Sequence, residues 1–139
     1  MLEILESETS EEYLVDLDRV KDCVIGICEG KVFVREATNQ GYNVAYSGDT
    51  VNLAHPKSKT RRGRVGKGVA NTLLTSREQA VLTSDDKLRW LTERESWRLQ
   101  GIPEEYFDKA AKITSKRQLY KQAGNGVTVD VVYEIVKRL

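Results

Sequence analysis

The chain has 139 residues, 40% of them hydrophobic and 31% charged, with a formal net charge of +1. That suits one soluble globular domain with a modest core, and no apolar run approaches the length of a membrane span. Met1-Leu2-Glu3-Ile4-Leu5-Glu6 carries acids where a signal peptide would carry basic residues, so a cytoplasmic protein is expected.

The charge is unevenly placed. Residues 1–18 hold Glu3, Glu6, Glu8, Glu11, Glu12, Asp16 and Asp18 and no basic residue. Residues 57–67 hold Lys57, Lys59, Arg61, Arg62, Arg64 and Lys67 and no acid. An acidic head suits solvent or a basic partner, and a basic loop suits a phosphate backbone. Cys23 and Cys28 are the only cysteines and His55 the only histidine, too few ligands for a zinc site.

Residues 1–22 read as an acidic connecting segment. Ser10-Glu11-Glu12 opens a helix whose apolar stripe is Tyr13, Leu14, Leu17 and Val20. Residues 23–84 read as short strands. Cys23–Cys28 and Lys31–Arg35 flank Glu29-Gly30, a hairpin signal. Asn43–Tyr46 and Thr50–Leu53 flank Ser47-Gly48-Asp49, a second hairpin candidate, and Val69–Thr75 and Ala80–Thr83 add two strands. The polar loop 54–68 between them is long enough to suggest a function.

Residues 85–139 read as helical. Thr92-Glu93-Arg94-Glu95 forms a capping box, and the helix stops at Gly101 with Pro103 beyond. Pro103 starts a helix carrying Tyr106, Phe107, Ala110 and Ala111. Ser115 caps a third helix ending at Gly124, and Gly124-Asn125-Gly126 forms a tight turn. The last helix has Val127, Val131, Ile135 and Leu139 at spacing four, with Val132 and Val136 alongside, a wide apolar face with little chain left to cover it.

Two of these stretches resemble motifs of the DNA cytosine-5 methyltransferases. Arg89-Trp90-Leu91-Thr92-Glu93-Arg94-Glu95 and Arg98-Leu99-Gln100-Gly101-Ile102-Pro103 look like the ninth motif, with Glu93 in place of proline and Ile102 in place of phenylalanine. Tyr120-Lys121-Gln122-Ala123-Gly124-Asn125-Gly126-Val127 looks like the tenth, with Gly126 in place of serine. Upstream, Val34-Arg35-Glu36-Ala37-Thr38 and Arg61 to Leu73 resemble the target-recognition region of bacterial and phage members. The family's Gly-rich cofactor loop, Pro-Cys-Gln nucleophile and Glu-Asn-Val acid do not occur in this sequence, and its one Arg-x-Arg, Arg62-Gly63-Arg64, lies in the stretch that resembles the target-recognition region. Neither Cys23 nor Cys28 has the neighbours of the nucleophile, and methylation at cytosine C5 needs an activated thiolate and a flipped base.

The resemblance implies an α+β chain: a small mixed β-rich target-recognition region at 23–84, then a helical segment at 85–139 that docks on a Rossmann-like methyltransferase domain absent from this chain. It implies double-stranded DNA as a partner, met by Lys57, Lys59, Arg61, Arg62, Arg64 and Lys67. It implies S-adenosylmethionine as a shared cofactor, approached by Asn125 and Gly126, and a catalytic subunit carrying Pro-Cys-Gln. Because the chain starts with methionine, it is expected to be the smaller polypeptide of an enzyme encoded in two pieces, inactive alone. The rival readings are an inactive remnant or stand-alone DNA-binding module, and a protein-interaction domain with a solvated basic loop. Arg94 and Glu95 are expected to be structural, and Trp90 and Trp97 to be core or interface anchors.

Overall fold

In the computed structural model, which describes residues 2–139, two antiparallel sheets are followed by a group of helices, an α+β arrangement. The first sheet is β1 (Val24–Cys28), β2 (Lys31–Arg35) and β3 (Tyr42–Tyr46), in that order. Glu29 and Gly30 turn the β1–β2 hairpin with φ of 51° and 72°. Positive φ at both positions gives a turn whose twist matches that of the strands. The second sheet is β4 (Thr50–Asn52), β5 (Val65–Gly66), β6 (Gln79–Leu82) and β7 (Leu88–Trp90), in the order β5-β4-β6-β7.

The expected hairpin around Ser47-Gly48-Asp49 is not formed. β3 pairs with β2 and β4 pairs with β5 and β6, so this turn carries the chain from one sheet to the other. The Asp49 carboxylate fixes that crossing, accepting from the Tyr46 amide at 3.0 Å and the Gly68 amide at 2.8 Å. Nor is Val69–Thr75 a strand: it forms no ladder, and bends stand at Val69 and Thr75. Sequence reading also missed β5, hidden inside the 54–68 loop, and β7, which extends the sheet beyond residue 84.

Residues 11–20 do not make one amphipathic helix. A 3-10 turn (Glu11–Tyr13) and α1 (Leu17–Val20) are separated where Leu14 bridges to Arg89 and the Val15 amide donates to the Leu88 carbonyl at 2.9 Å. This edge pairing with β7 satisfies backbone groups that a continuous helix would have bonded internally. Tyr13, Val15 and Val20 are buried as a result, whereas Leu14 and Leu17 are exposed. The main core lies between the sheets and includes Val32, Val34, Ala45, Val51, Ala80 and Leu82.

The helices are α2 (Glu93–Leu99), α3 (Glu104–Ala111), α4 (Lys116–Asn125) and α5 (Val129–Val136). The Thr92–Glu95 capping box forms as expected, and Gly101 ends α2 at φ 70°. A second core joins α2, α3 and α4: Trp97 meets Phe107 edge-on with centroids 5.5 Å apart, and its indole N–H donates to the Leu119 carbonyl at 3.0 Å. Among the described residues, no helix is long and apolar enough to cross a membrane.

Candidate functional site

The basic loop is held from beneath by Glu36. Its carboxylate, buried at the end of β2, accepts from three consecutive amides: Gly63 at 3.2 Å, Arg64 at 2.8 Å and Val65 at 3.1 Å. Successive amides converging on one anion make a compact nest that fixes the loop's path. Asn52 adds a second anchor, its side-chain oxygen accepting from the Ala54 amide at 3.0 Å and from Arg61 Nη2 at 3.1 Å.

This anchoring divides the six candidate cations. Lys57, Lys59 and Arg62 are exposed and Arg61 is half-buried. Lys67 is exposed but engaged: it lies 3.3 Å from the Asp49 carboxylate, donates to the Val44 carbonyl and sits over the Tyr46 ring. Arg64 is the correction. Its side chain is 0% exposed and donates inward to the carbonyls of Asn52 (3.2 Å), Ala54 (2.9 Å) and His55 (2.9 Å). A guanidinium so used cannot also meet a phosphate. It closes the loop that displays its neighbours.

Between β5 and β6 a strap, residues 69–75, passes against the helices. Thr50 Oγ1 donates to the Val69 carbonyl at 2.8 Å. The Gln79 side chain acts as a surrogate strand, accepting from the Asn71 amide at 3.0 Å and donating to the Asn71 carbonyl at 2.6 Å. Asn71 Nδ2 donates back to the Arg64 carbonyl at 3.1 Å, so strap and basic loop are one connected unit.

The strap then crosses α4 at Gly124, where an added Cβ would collide with the Leu74 carbonyl. The expected Gly124-Asn125-Gly126 turn is instead the last turn of α4: Gly124 and Asn125 are helical, and Gly126 is the C-cap at φ −73°. Gly124 therefore serves close approach, and no left-handed conformation is needed at these glycines. Between the strap and this helix end lies an open cleft of about 540 Å³, lined by Asn71, Thr72, Leu99, Gln100, Gly126 and Thr128 among others. Asn125 is exposed just outside that lining.

Gln100 joins the two helical motifs across the cleft's floor. Its Nε2 donates to the Ala123 carbonyl at 2.7 Å, its Oε1 accepts from Thr128 Oγ1 at 2.8 Å, and its carbonyl accepts from the Val129 amide at 2.9 Å. Arg94 reaches Glu6, Glu104 and Asp108 and covers the Phe107 ring, and Arg89 pairs with Glu95 in the interior. Both arrangements are structural. The Glu93 carboxylate accepts from the Tyr13 hydroxyl at 2.6 Å and is buried, joining the N-terminal segment to α2. Beyond the cleft, the apolar face of α5 lies open, with Val131, Ile135 and Val136 each more than half exposed.

A sheet core, a basic loop pinned by Glu36 and two helical motifs meeting at Gln100 are what the fold brings together. Residues 6–139 match the model of the C-5 cytosine-specific DNA methylases, and the chain belongs to that family. It is 52% identical over 54 residues to the orphan methyltransferase M.Rho11sI of Bacillus phage rho11s, covering 38% of this chain and 11% of that protein. It is 45% identical over 51 residues to the type II methyltransferase M2.ScrFI of Lactococcus lactis subsp. cremoris, covering 37% of this chain and 14% of that protein. The orphan methyltransferase M.SPBetaI of Bacillus phage SPbeta is 50% identical over 54 residues, 38% of this chain and 12% of its own length. The matched segment thus spans only about an eighth of these curated relatives. No solved structure matches the chain significantly.

Glu36, Asn52, Asn71 and Gln79, which shape the loop and strap, carry no local signal of that role in the sequence. Nothing near Glu36 marks a carboxylate whose partners are 27 to 29 positions away.

Proposed function

We propose that this chain supplies the target-recognition region and the cofactor-side helices of a DNA cytosine-5 methyltransferase. Lys57, Lys59, Arg61, Arg62 and Lys67 meet the phosphates of double-stranded DNA; Arg64 shapes the loop that carries them. The observation behind this reading is the joined unit of basic loop, strap and tenth-motif helix end, which links a DNA-facing element to a cleft.

The cleft fits one wall of an S-adenosylmethionine site. Its lining combines the helix end at Gly126 with the Gln100 and Thr128 side chains and open strap backbone, so a ligand can approach main chain closely. Gln100 and Thr128 already bond each other, and no lining side chain carries a charge, so the rest of the cofactor's recognition falls to other residues. Bound there, the cofactor supplies the methyl group. In this reading Gly126 and Asn125 position the helix end beside it, and Gln100 holds that end to α2. The thiolate that attacks cytosine belongs to a domain carrying Pro-Cys-Gln, on the same or a separate polypeptide. The α5 face of Val131, Ile135 and Val136 docks on that domain, because apolar area of this kind is stabilised by burial.

Co-expression with a polypeptide carrying the Pro-Cys-Gln motif tests this. Co-purification with methyl transfer to cytosine in duplex DNA is expected, and neither polypeptide should transfer methyl alone. Robust transfer by this chain alone, or no association with any such partner, would sink the proposal. Duplex binding without a partner or methyl transfer would favour a remnant or stand-alone DNA-binding module.

A further inference from the structure

The outer face of the first sheet has no part in that reading except through Lys67. Val32, Val34 and Ala45 are fully buried against the core. The alternate residues of β2 and β3 therefore turn outward. The register sets them in three rows: Lys31 opposite Tyr46, Phe33 opposite Val44 and Arg35 opposite Tyr42. Each end row places a cation beside a tyrosine, and successive rows are about 6.7 Å apart, two strand residues. Phe33 and Tyr42 form a tilted pair with centroids 6.0 Å apart. At the other end Lys67 arrives from the basic loop, its ammonium 4.9 Å from the Tyr46 ring centroid. No carboxylate stands on these rows. Asp49, beside the Tyr46 end, is largely buried and already paired with Lys67.

Aromatic rings interleaved with the cations Lys31 and Arg35, and with the Asp49-paired Lys67 at one end, favour a polyanion whose units have flat apolar faces. Duplex DNA hides its base faces in the stack, where rings on a protein surface cannot meet them. A single strand offers both base faces and phosphates. We propose that the outer face of the β1–β3 sheet binds single-stranded nucleic acid, with bases stacked on Tyr46, Tyr42 and Phe33 and phosphates meeting Lys31, Arg35 and Lys67. Lys67 apart, which both surfaces share, this face is separate from the duplex-facing loop, and it does not depend on the methyltransferase reading.

The test is fluorescence anisotropy of the whole chain with one labelled sequence prepared as single-stranded DNA, single-stranded RNA and duplex DNA. Salt-dependent binding of a single strand is expected, and the DNA and RNA arms identify which the face prefers. Tyr46→Ala and Arg35→Ala, both at exposed positions, should each weaken single-strand binding by about tenfold while leaving duplex affinity unchanged. Arg62→Glu should do the converse. Tyr42→Ala, at a partly buried position, is read only alongside an unchanged circular dichroism melt. Failure of both single strands to bind, or single-strand affinity indifferent to Tyr46→Ala and Arg35→Ala, overturns the proposal. Loss of duplex binding alone would count against the loop's role and leave this face standing.

Discussion

Arg89 and Glu95 are locked together inside the protein: Arg89 Nη2 donates to Glu95 Oε1 at 2.7 Å and Nη1 to Oε2 at 2.9 Å, with Glu95 fully buried. The same carboxylate accepts from the Thr92 amide at 2.8 Å and from the Glu6 amide at 2.8 Å. One side chain thus joins β7, the start of α2 and the N-terminal segment. Removing one partner leaves a buried charge without compensation. Arg89→Ala is expected to destabilise the fold by about 3–5 kcal/mol, read from urea unfolding. A loss below about 1 kcal/mol would mean that the pair is solvated in solution.

Gly124→Ala separates helix propensity from packing. In an unconstrained helix the change would stabilise by about 1 kcal/mol. Here the new methyl meets the Leu74 carbonyl, backbone that cannot move freely. Destabilisation of about 1–3 kcal/mol is expected, with increased amide exchange along 69–75.

Arg62 and Arg64 stand two residues apart and should behave oppositely. Arg62→Ala is expected to change stability by less than about 0.5 kcal/mol and to reduce the salt slope of duplex binding by about 1. Arg64→Ala removes the donor shared by three carbonyls and should cost about 2–4 kcal/mol. Equal melting temperatures for the two variants would contradict the inward placement of Arg64.

Tyr13 and Tyr120 should make the protein sensitive to alkali. Burial raises both hydroxyls well above their ordinary value of 10, and the Glu93 carboxylate beside them adds to the shift. A neutral acid whose pKa is raised by folding contributes stability that is intact below about pH 10. That stability is lost as pH climbs above the unfolded value, where the unfolded chain ionises first. Unfolding free energy should therefore fall above about pH 10, and the tyrosinate absorbance of these two residues should emerge together with loss of ellipticity. Tyr120→Phe should flatten that decline.

Asp49 sets the acid side. Burial pushes its carboxyl up, but the amides of Tyr46 and Gly68 and the Lys67 ammonium outweigh it and hold the pKa below the ordinary 3.8. A depressed carboxyl stabilises above its unfolded value and loses that contribution as pH falls through the folded one. Asp49→Asn should be less stable than the parent near neutrality, with the gap narrowing below about pH 4 in denaturant titrations.

Local pattern alone determined several elements. The Glu29-Gly30 hairpin, the Thr92–Glu95 capping box, the stop at Gly101 and the Ser115 cap are encoded within a few residues, because turns and caps are short-range chemistry. The two helical motifs likewise marked the family. The tertiary structure decided what depends on distant partners. Ser47-Gly48-Asp49 became a crossing between sheets, not a hairpin, because Asp49 bonds Gly68 as well as Tyr46. Val69–Thr75 became a strap because the side chain of Gln79 occupies the place of a neighbouring strand. Arg64 looked like its basic neighbours in sequence and turned inward because three carbonyls in a loop 9 to 12 residues away needed a donor. Gly124 reads in sequence as part of a tight turn and is instead a helical residue that leaves clearance for Leu74. Burial and hydrogen-bond satisfaction are settled between segments far apart in sequence, and composition or spacing along one segment does not record them.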